Sequence, residues 1–225
     1  MKDNPLFLLV LFPLAAYIIG STPFGVIISR FRGVDLRKQG SGNVGATNVG
    51  RVLGRKFGYI CFFLDVSKGF IPVALVGLVL RDGNAVPDAL SQAGWLAVGF
   101  GAIAGHVFSF YLRFRGGKGV ATSLGVVLGI FPYFTLAGLA TFALWIIIVL
   151  VTKYVSLASI LAAAAFIPIF ILLNLDNWLS LWPLATFAAL MSSLIILRHR
   201  SNISRLLAGK ENKVGRATGF KPNDQ

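Results

Sequence analysis

The stretch GVATSLGVVLGIFPYFTLAGLATFALWIIIVLVT, residues 119–152, contains no charged side chain. As one α-helix it would extend about 51 Å at a rise of about 1.5 Å per residue. The hydrocarbon core of a bilayer measures about 30 Å. A break is required, and GIFPYF at 129–134 supplies it. Pro132 lacks a backbone donor and disfavours helix at the residue before it, so the segment reads as a tight turn between two membrane helices. The count of spans turns on this reading, and it comes to seven.

The rest of the chain agrees. Of 225 residues, 56% are hydrophobic and 13% charged, with a mean hydropathy of +0.78. Soluble domains average about a quarter charged. Charge-poor stretches of near-bilayer length fall at 5–29, 57–80, 89–112, 116–131, 133–152, 155–175 and 178–197. The first is not a convincing cleavable leader, because its apolar run passes Ala15 and Ala16 without a small-x-small site. The predicted fold is an all-α polytopic membrane protein of seven transmembrane helices, the fourth short, with short interfacial helices or loops on the cytoplasmic face. Residues 1–211 are expected to form a single integral-membrane domain and 212–225 a cytoplasmic tail.

The basic residues set the orientation. Seven lie between Arg30 and Lys56, three between Arg113 and Lys118, one at Lys153 and seven between Arg198 and Lys221, so seven spans place eighteen of the 21 on one face. Cationic loops stay inside, which puts the N-terminus outside and the C-terminus in the cytoplasm. This asymmetry accounts for the net charge of +13 without nucleic acid. Joining the fourth and fifth spans would separate Lys118 from Lys153 across the membrane. One cysteine, Cys61, excludes an internal disulfide, and two histidines with eight scattered carboxylates give no metal-ligand cluster. No metal or cofactor is expected.

The unusual polar sequence collects on that cationic face. In GSGNVGATNVGR, residues 40–51, Gly40 and Gly42 let successive amides turn toward one point, a nest suited to phosphate. Ser41, Asn43, Thr47 and Asn48 add neutral donors, and Arg51 adds a fixed bidentate cation. In RGGKGVATS, residues 115–123, Gly116, Gly117 and Gly119 flank Lys118 where a helix begins, so free amides and the positive dipole end can receive an anion. It is no Walker A loop, since Gly119 stands where that pattern needs Ser or Thr. The third loop offers Ser156 beside Lys153, and RHRSNISRLLAGKE at 198–211 offers His199, Asn202, Arg205 and Glu211. Within the second span, Asp65 and Lys68 share a helical face and are each other's natural partner. At about 12 Å from the loop end by helical rise, Asp65 could floor a pocket opening to the cytoplasm. His106 reads as a buried, hydrogen-bonded helix contact.

Taken together, GSTPFGVIIS (20–29), GVDLRKQGSGNVGATNVGRVLG (33–54), FFLDVSKGF (62–70), GHVFSFYLRFRGGKGVATSLGV (105–126), KYVSLASI (153–160) and RHRSNISRLLAGKE (198–211) resemble the acyl-phosphate:glycerol-3-phosphate acyltransferase family of bacterial inner membranes. The resemblance implies seven helices, an external N-terminus and a cytoplasm-facing site. It also implies the reaction: acyl transfer from acyl phosphate to the 1-hydroxyl of glycerol 3-phosphate, releasing lysophosphatidic acid and inorganic phosphate. Under it, Ser41, Arg51, Lys118, His199 and Asn202 carry the reaction, while Gly40, Gly42, Asn43, Thr47, Asn48, Gly116, Gly117 and Ser156 bind substrate. Asp65, Lys68, His106 and Glu211 support them, in a monomer embedded in membrane lipid. Two departures stand out: Ser201 where a glutamate is expected, and no proline after Phe108 in GHVFSF.

Acyl phosphate is an activated anhydride, so the protein need only align the hydroxyl and neutralise the leaving phosphate. No base in the Ser41 loop would activate a serine nucleophile, and Ser41 is assigned to phosphate binding. Two other classes compete: a small anion transporter, which should show mid-membrane polar groups and a repeat, and a lipid-binding scaffold, which would need no glycine nest.

Overall fold

The computed structural model describes residues 6–80, 87–176 and 179–214; the starts of the first and seventh predicted spans and the tail after 214 lie outside them. All regular structure in the described residues is helical. A π-helical turn at Phe7–Leu11 leads into α1 (Phe12–Ser21), followed by α2 (Phe24–Phe31), α3 (Ala46–Leu53), α4 (Arg55–Leu80), α5 (Ala89–Val107), α6 (Val120–Gly129), α7 (Thr135–Thr152), α8 (Val155–Leu173), α9 (Trp182–Arg198) and α10 (Arg200–Leu207). Among the described residues five segments are long and apolar enough to cross a membrane, six if the pair α9–α10, bent by 55°, counts as one span.

The break at Pro132 is where the sequence requires it: α6 ends at Gly129 and α7 starts at Thr135. α6 has only 10 residues, about 15 Å of rise and half a bilayer core. It is the short fourth element, but it falls below the length of a full span. A second break was not foreseen. The first apolar run, read as one span over 5–29, is interrupted at Pro23: α1 stops at Ser21 and α2 restarts at Phe24. Proline has no amide hydrogen and its ring clashes one turn back, so carbonyls are freed. In hydrocarbon each would cost several kcal/mol unsatisfied, roughly. Ser109 Oγ donates to Ser21 O at 2.6 Å, and Lys68 Nζ donates to Thr22 O at 2.8 Å. Side chains from α4 and the segment after α5 thereby pin the break.

Helix packing runs along small residues, as expected where lipid removes the hydrophobic drive between helices and close backbone approach takes over. A Cβ at Gly20, Gly101 or Gly105 would strike backbone between α1 and α5, and one at Gly69 or Gly125 would strike backbone between α4 and α6. α6 therefore lies directly on α4, running beside it from Gly69 toward Val73. Beyond the Pro132 turn, the Phe134 ring meets Phe166 and Phe170 edge-on at 5.2 and 5.0 Å, tying that turn to α8. Edge-to-face pairs of this kind add about 0.5–1.5 kcal/mol each beyond area burial.

Candidate active site

The first loop folds around one side chain. Asn48, buried in the first turns of α3, accepts from Ser41 N at 2.8 Å and shares its Nδ2 hydrogens among the carbonyls of Leu36, Gln39 and Asn43 at 3.3, 3.0 and 2.8 Å. Positive φ values of 59° at Gly40 and 70° at Gly42 turn the chain about this hub. Such φ values suit glycine. Gly42 N donates to Gln39 O, and Gly45 N donates to Asn43 Oδ1. The Asn48 amide, predicted as a substrate donor, is thus spent on the loop itself, whereas Asn43 commits only its Oδ1 there and lines the cavity. Helix α3 begins immediately after, with the amides of Ala46 and Thr47 at its open N-terminus.

The second loop shows the same division. Gly116 N donates to Val107 O and Gly117 N to His106 O, each at 3.1 Å, capping the end of α5. Those two amides, predicted as anion donors, are engaged in the fold. Lys118 and the N-terminus of α6 at Val120 and Ala121 remain directed at the cavity. Lys118 Nζ donates to Asn202 Oδ1 at 2.6 Å. Asn202 Nδ2 donates to Glu211 Oε1 at 2.7 Å, Ser156 Oγ donates to the same oxygen at 2.9 Å, and Arg205 Nε donates to Glu211 Oε2 at 2.7 Å. Burial alone would raise the Glu211 carboxyl pKa, but the hydrogen bonds from Asn202, Ser156 and Arg205 hold it below its ordinary value. Glu211 is therefore an anion that orients donors.

One cavity of about 150 Å³ gathers these groups. Ser41, Thr47 and Arg51 form one wall, Lys118 and the head of α6 another, and Ser156, His199, Asn202 and Glu211 the third, with Asp65 and His106 beneath. The N-termini of α3, α6 and α8 all reach it, and each adds partial positive charge. Among the described residues Arg51 makes no side-chain hydrogen bond or ion pair, which leaves its fork for a ligand. Burial lowers its pKa from the ordinary arginine value. Burial likewise lowers Lys118 to about 8, with Glu211 opposing and Arg205, Arg51 and Arg198 assisting. His199 is buried, and its Nδ1 lies 2.8 Å from Ile195 O. A carbonyl only accepts, so Nδ1 carries the hydrogen and Nε2 is the nitrogen left for a substrate.

Below the floor, Asp65 Oδ1 is 2.7 Å from Lys68 Nζ and 3.6 Å from His106 Nδ1. Lys68, Gly40, Gly42, Gly116 and Gly117 do not line the cavity. Sequence reasoning missed Trp145 and Ser159, joined by a 3.1 Å hydrogen bond from the indole nitrogen, and Asn212 and Val214. Ser159 was findable, one helical turn past Ser156 on the same face. Trp145 sits in an uncharged helix and gave no signal. Asn212 and Val214 belong to a segment without an interpretable motif. It returns because Glu211 is tied to Ser156 and Val214 N donates to Lys153 O at 2.8 Å. A larger cavity of about 640 Å³ at the far ends of α4 and α6 is lined, among the described residues, by uncharged side chains.

The fold and the site define an integral-membrane helical protein with a cationic, amide-lined pocket at one end of its helices. The family model for glycerol-3-phosphate acyltransferase matches residues 10–209. The chain belongs to that family, an integral-membrane acyltransferase family. Its similarity to the glycerol-3-phosphate acyltransferase of Aquifex aeolicus is 43% identity over 201 residues, covering 88% of this chain and 95% of that protein. The Geobacter sulfurreducens enzyme is 46% identical over 200 residues, covering 88% and 93%. Crystal structures of PlsY (YgiH), an integral membrane glycerol 3-phosphate acyltransferase, are similar in its glycerol 3-phosphate form (TM-score 0.76, 39% identity, 94% and 96% coverage) and its lysophosphatidic acid form (TM-score 0.77, 38% identity, 94% and 95% coverage).

Proposed function

We propose that this protein transfers an acyl group from acyl phosphate to the 1-hydroxyl of glycerol 3-phosphate, on the cytoplasmic side of a bacterial inner membrane. One observation carries the reading: a hydrogen-bonded chain from Lys118 through Asn202 and Glu211 to Ser156 faces Ser41 and Arg51 across a single cavity. Two phosphorylated reactants bring about three to four negative charges. Arg51, Lys118, Arg205 and three helix N-termini are the groups that balance them.

The chemistry needs no enzyme nucleophile. The acceptor oxygen attacks the acyl carbonyl, the carbonyl–phosphate C–O bond breaks, and the hydroxyl proton passes to the departing phosphate oxygen, which gains basicity as it leaves. Ester and hydrogen phosphate result, with no net proton taken from the protein. On binding, His199 Nε2 accepts a hydrogen bond from the hydroxyl and orients it, until attack turns that proton to the departing phosphate oxygen; Lys118 and Arg51 stabilise charge on the leaving phosphate. Ser41 binds phosphate. The acyl chain lies along the helices while the phosphates stay at the boundary.

In this reading the chain crosses seven times with its N-terminus outside. Support comes from Gly119, before α6, and Val155, after α7, which line the same cavity: α6 and α7 go in and return. The transporter reading is less well supported, since the charged groups of the described residues gather at the Lys118 cavity and those lining the far cavity are uncharged. The test is purified protein in detergent given acyl phosphate with and without glycerol 3-phosphate. Acceptor-dependent phosphate release and a lysophosphatidic acid product are expected; release that ignores the acceptor would overturn the assignment.

A further inference from the structure

The Gly116–Gly117 pair invites the interpretation that glycine is there to let phosphate approach. The packing gives another reason. A Cβ on Gly117 would run into the His106 imidazole, Nε2 first, and one on Gly116 would run into the His106 carbonyl. Neither glycine has the positive φ that would itself demand glycine. It is the neighbour, not the backbone angle, that excludes a side chain.

Gly117 is held on three sides. Its amide donates to His106 O at 3.1 Å, its carbonyl accepts from Arg198 Nη2 at 3.2 Å, and the imidazole covers its face. The ring is itself fixed: Thr122 Oγ1 lies 3.0 Å and Asp65 Oδ1 3.6 Å from Nδ1. Asp65 is in turn held by Lys68, whose ammonium is anchored on Thr22 O at the α1–α2 break. Helices α4, α5, α6 and α9 and the α1–α2 break thus converge on the residue before Lys118.

We propose that His106 is a positioning residue: its clamped ring is the template on which Gly117 lies, and it sets the direction of the Lys118 ammonium into the anion site. This rests on the assignment of Lys118 to phosphate, though not on acyl transfer. A residue held within a few tenths of an ångström by its supporting shell directs its neighbour; a loose one does not.

The experiment measures affinity for inorganic phosphate by calorimetry on the full-length protein in detergent, alongside transferase activity. Gly117→Ala should weaken phosphate binding about tenfold in the wild-type background, as expected when a supporting residue is displaced. In a His106→Ala background, which removes the obstacle, adding Gly117→Ala should change affinity less than about twofold, because coupled neighbours are non-additive. Equal losses in both backgrounds would overturn the proposal. His106→Ala should weaken phosphate binding severalfold in the wild-type background but leave affinity unchanged in a Lys118→Ala background, where only thermal stability falls; no loss in the wild-type background, or a further loss in the Lys118→Ala background, counts against the proposal. If Gly117→Ala does not fold, Thr122→Val, which keeps size but removes the hydroxyl on Nδ1, should weaken phosphate binding severalfold through Lys118 alone, and wild-type affinity in that variant sinks the idea. Phosphate binding with this pattern but without acyl transfer would reject the transferase reading and leave the positioning role standing.

Discussion

Lys118 Nζ donates to Asn202 Oδ1 across 2.6 Å, joining residues 84 positions apart. The bond spans two loops and fixes a cation to an amide that is itself held by Glu211 at 2.7 Å. An ammonium on a flexible stem is a poor phosphate ligand until something holds it; here Asn202 does.

Removing either charge that faces the ligand should remove transition-state stabilisation. Lys118→Ala and Arg51→Ala are each expected to lower kcat/KM by about 10²–10³-fold, the scale of a lost preorganised donor. Steady-state phosphate release from both purified variants, with size-exclusion profiles matching wild type, checks this. Wild-type turnover in both would dissolve the site assignment.

The pH profile follows from Lys118. Burial pushes its pKa down to about 8. Below that pH it is charged and can bind phosphate; as pH rises through it, the charge is lost. kcat/KM for glycerol 3-phosphate should therefore fall above about pH 8, reporting the free enzyme. Bound phosphate favours the charged form, so kcat should fall at a higher pH. Lys118→Arg keeps its charge throughout, and any activity it retains should show no such alkaline limb.

His199 separates orientation from proton transfer. With Nδ1 committed to Ile195 O, Nε2 needs only to accept a hydrogen bond. We expect His199→Gln to keep a measurable fraction of kcat and His199→Ala to lose about 10²-fold or more, the usual worth of a positioned group. Equal inactivation of the two would move the proton onto the histidine.

Ser41→Ala should raise KM for a phosphorylated substrate and leave an enzyme without any acyl adduct. Intact-mass spectrometry of wild type quenched during turnover reads this directly. An acyl group on Ser41 would replace direct transfer with a two-step mechanism.

Asn48→Ala tests the loop's interior. It deletes an acceptor for Ser41 N and the donors to three carbonyls in a buried place. We expect a loss of about 2–4 kcal/mol of stability, the range for a broken buried network, read by thermal unfolding in detergent. Activity should fall as Ser41 loses its place.

How much was written in the chain divides along a physical line. Hydropathy, the forced break at Pro132 and the cationic loops are properties of neighbours in sequence, and they sufficed for a helical membrane protein with its polar residues gathered at one end. The same local signals picked out Ser41, Arg51, Lys118, Ser156, His199, Asn202 and Glu211, which do share one cavity. They could not say which polar groups touch a ligand and which brace the loop. Asn48, Gly116 and Gly117 look like ligands in a glycine-rich motif, but their partners are carbonyls and an imidazole brought in by other helices. Nor could they foresee that α1 breaks at Pro23, since the carbonyls freed there are satisfied from Ser109 and Lys68. A hydrogen bond's partner is chosen by packing across the bilayer, and that choice is made only when the helices meet.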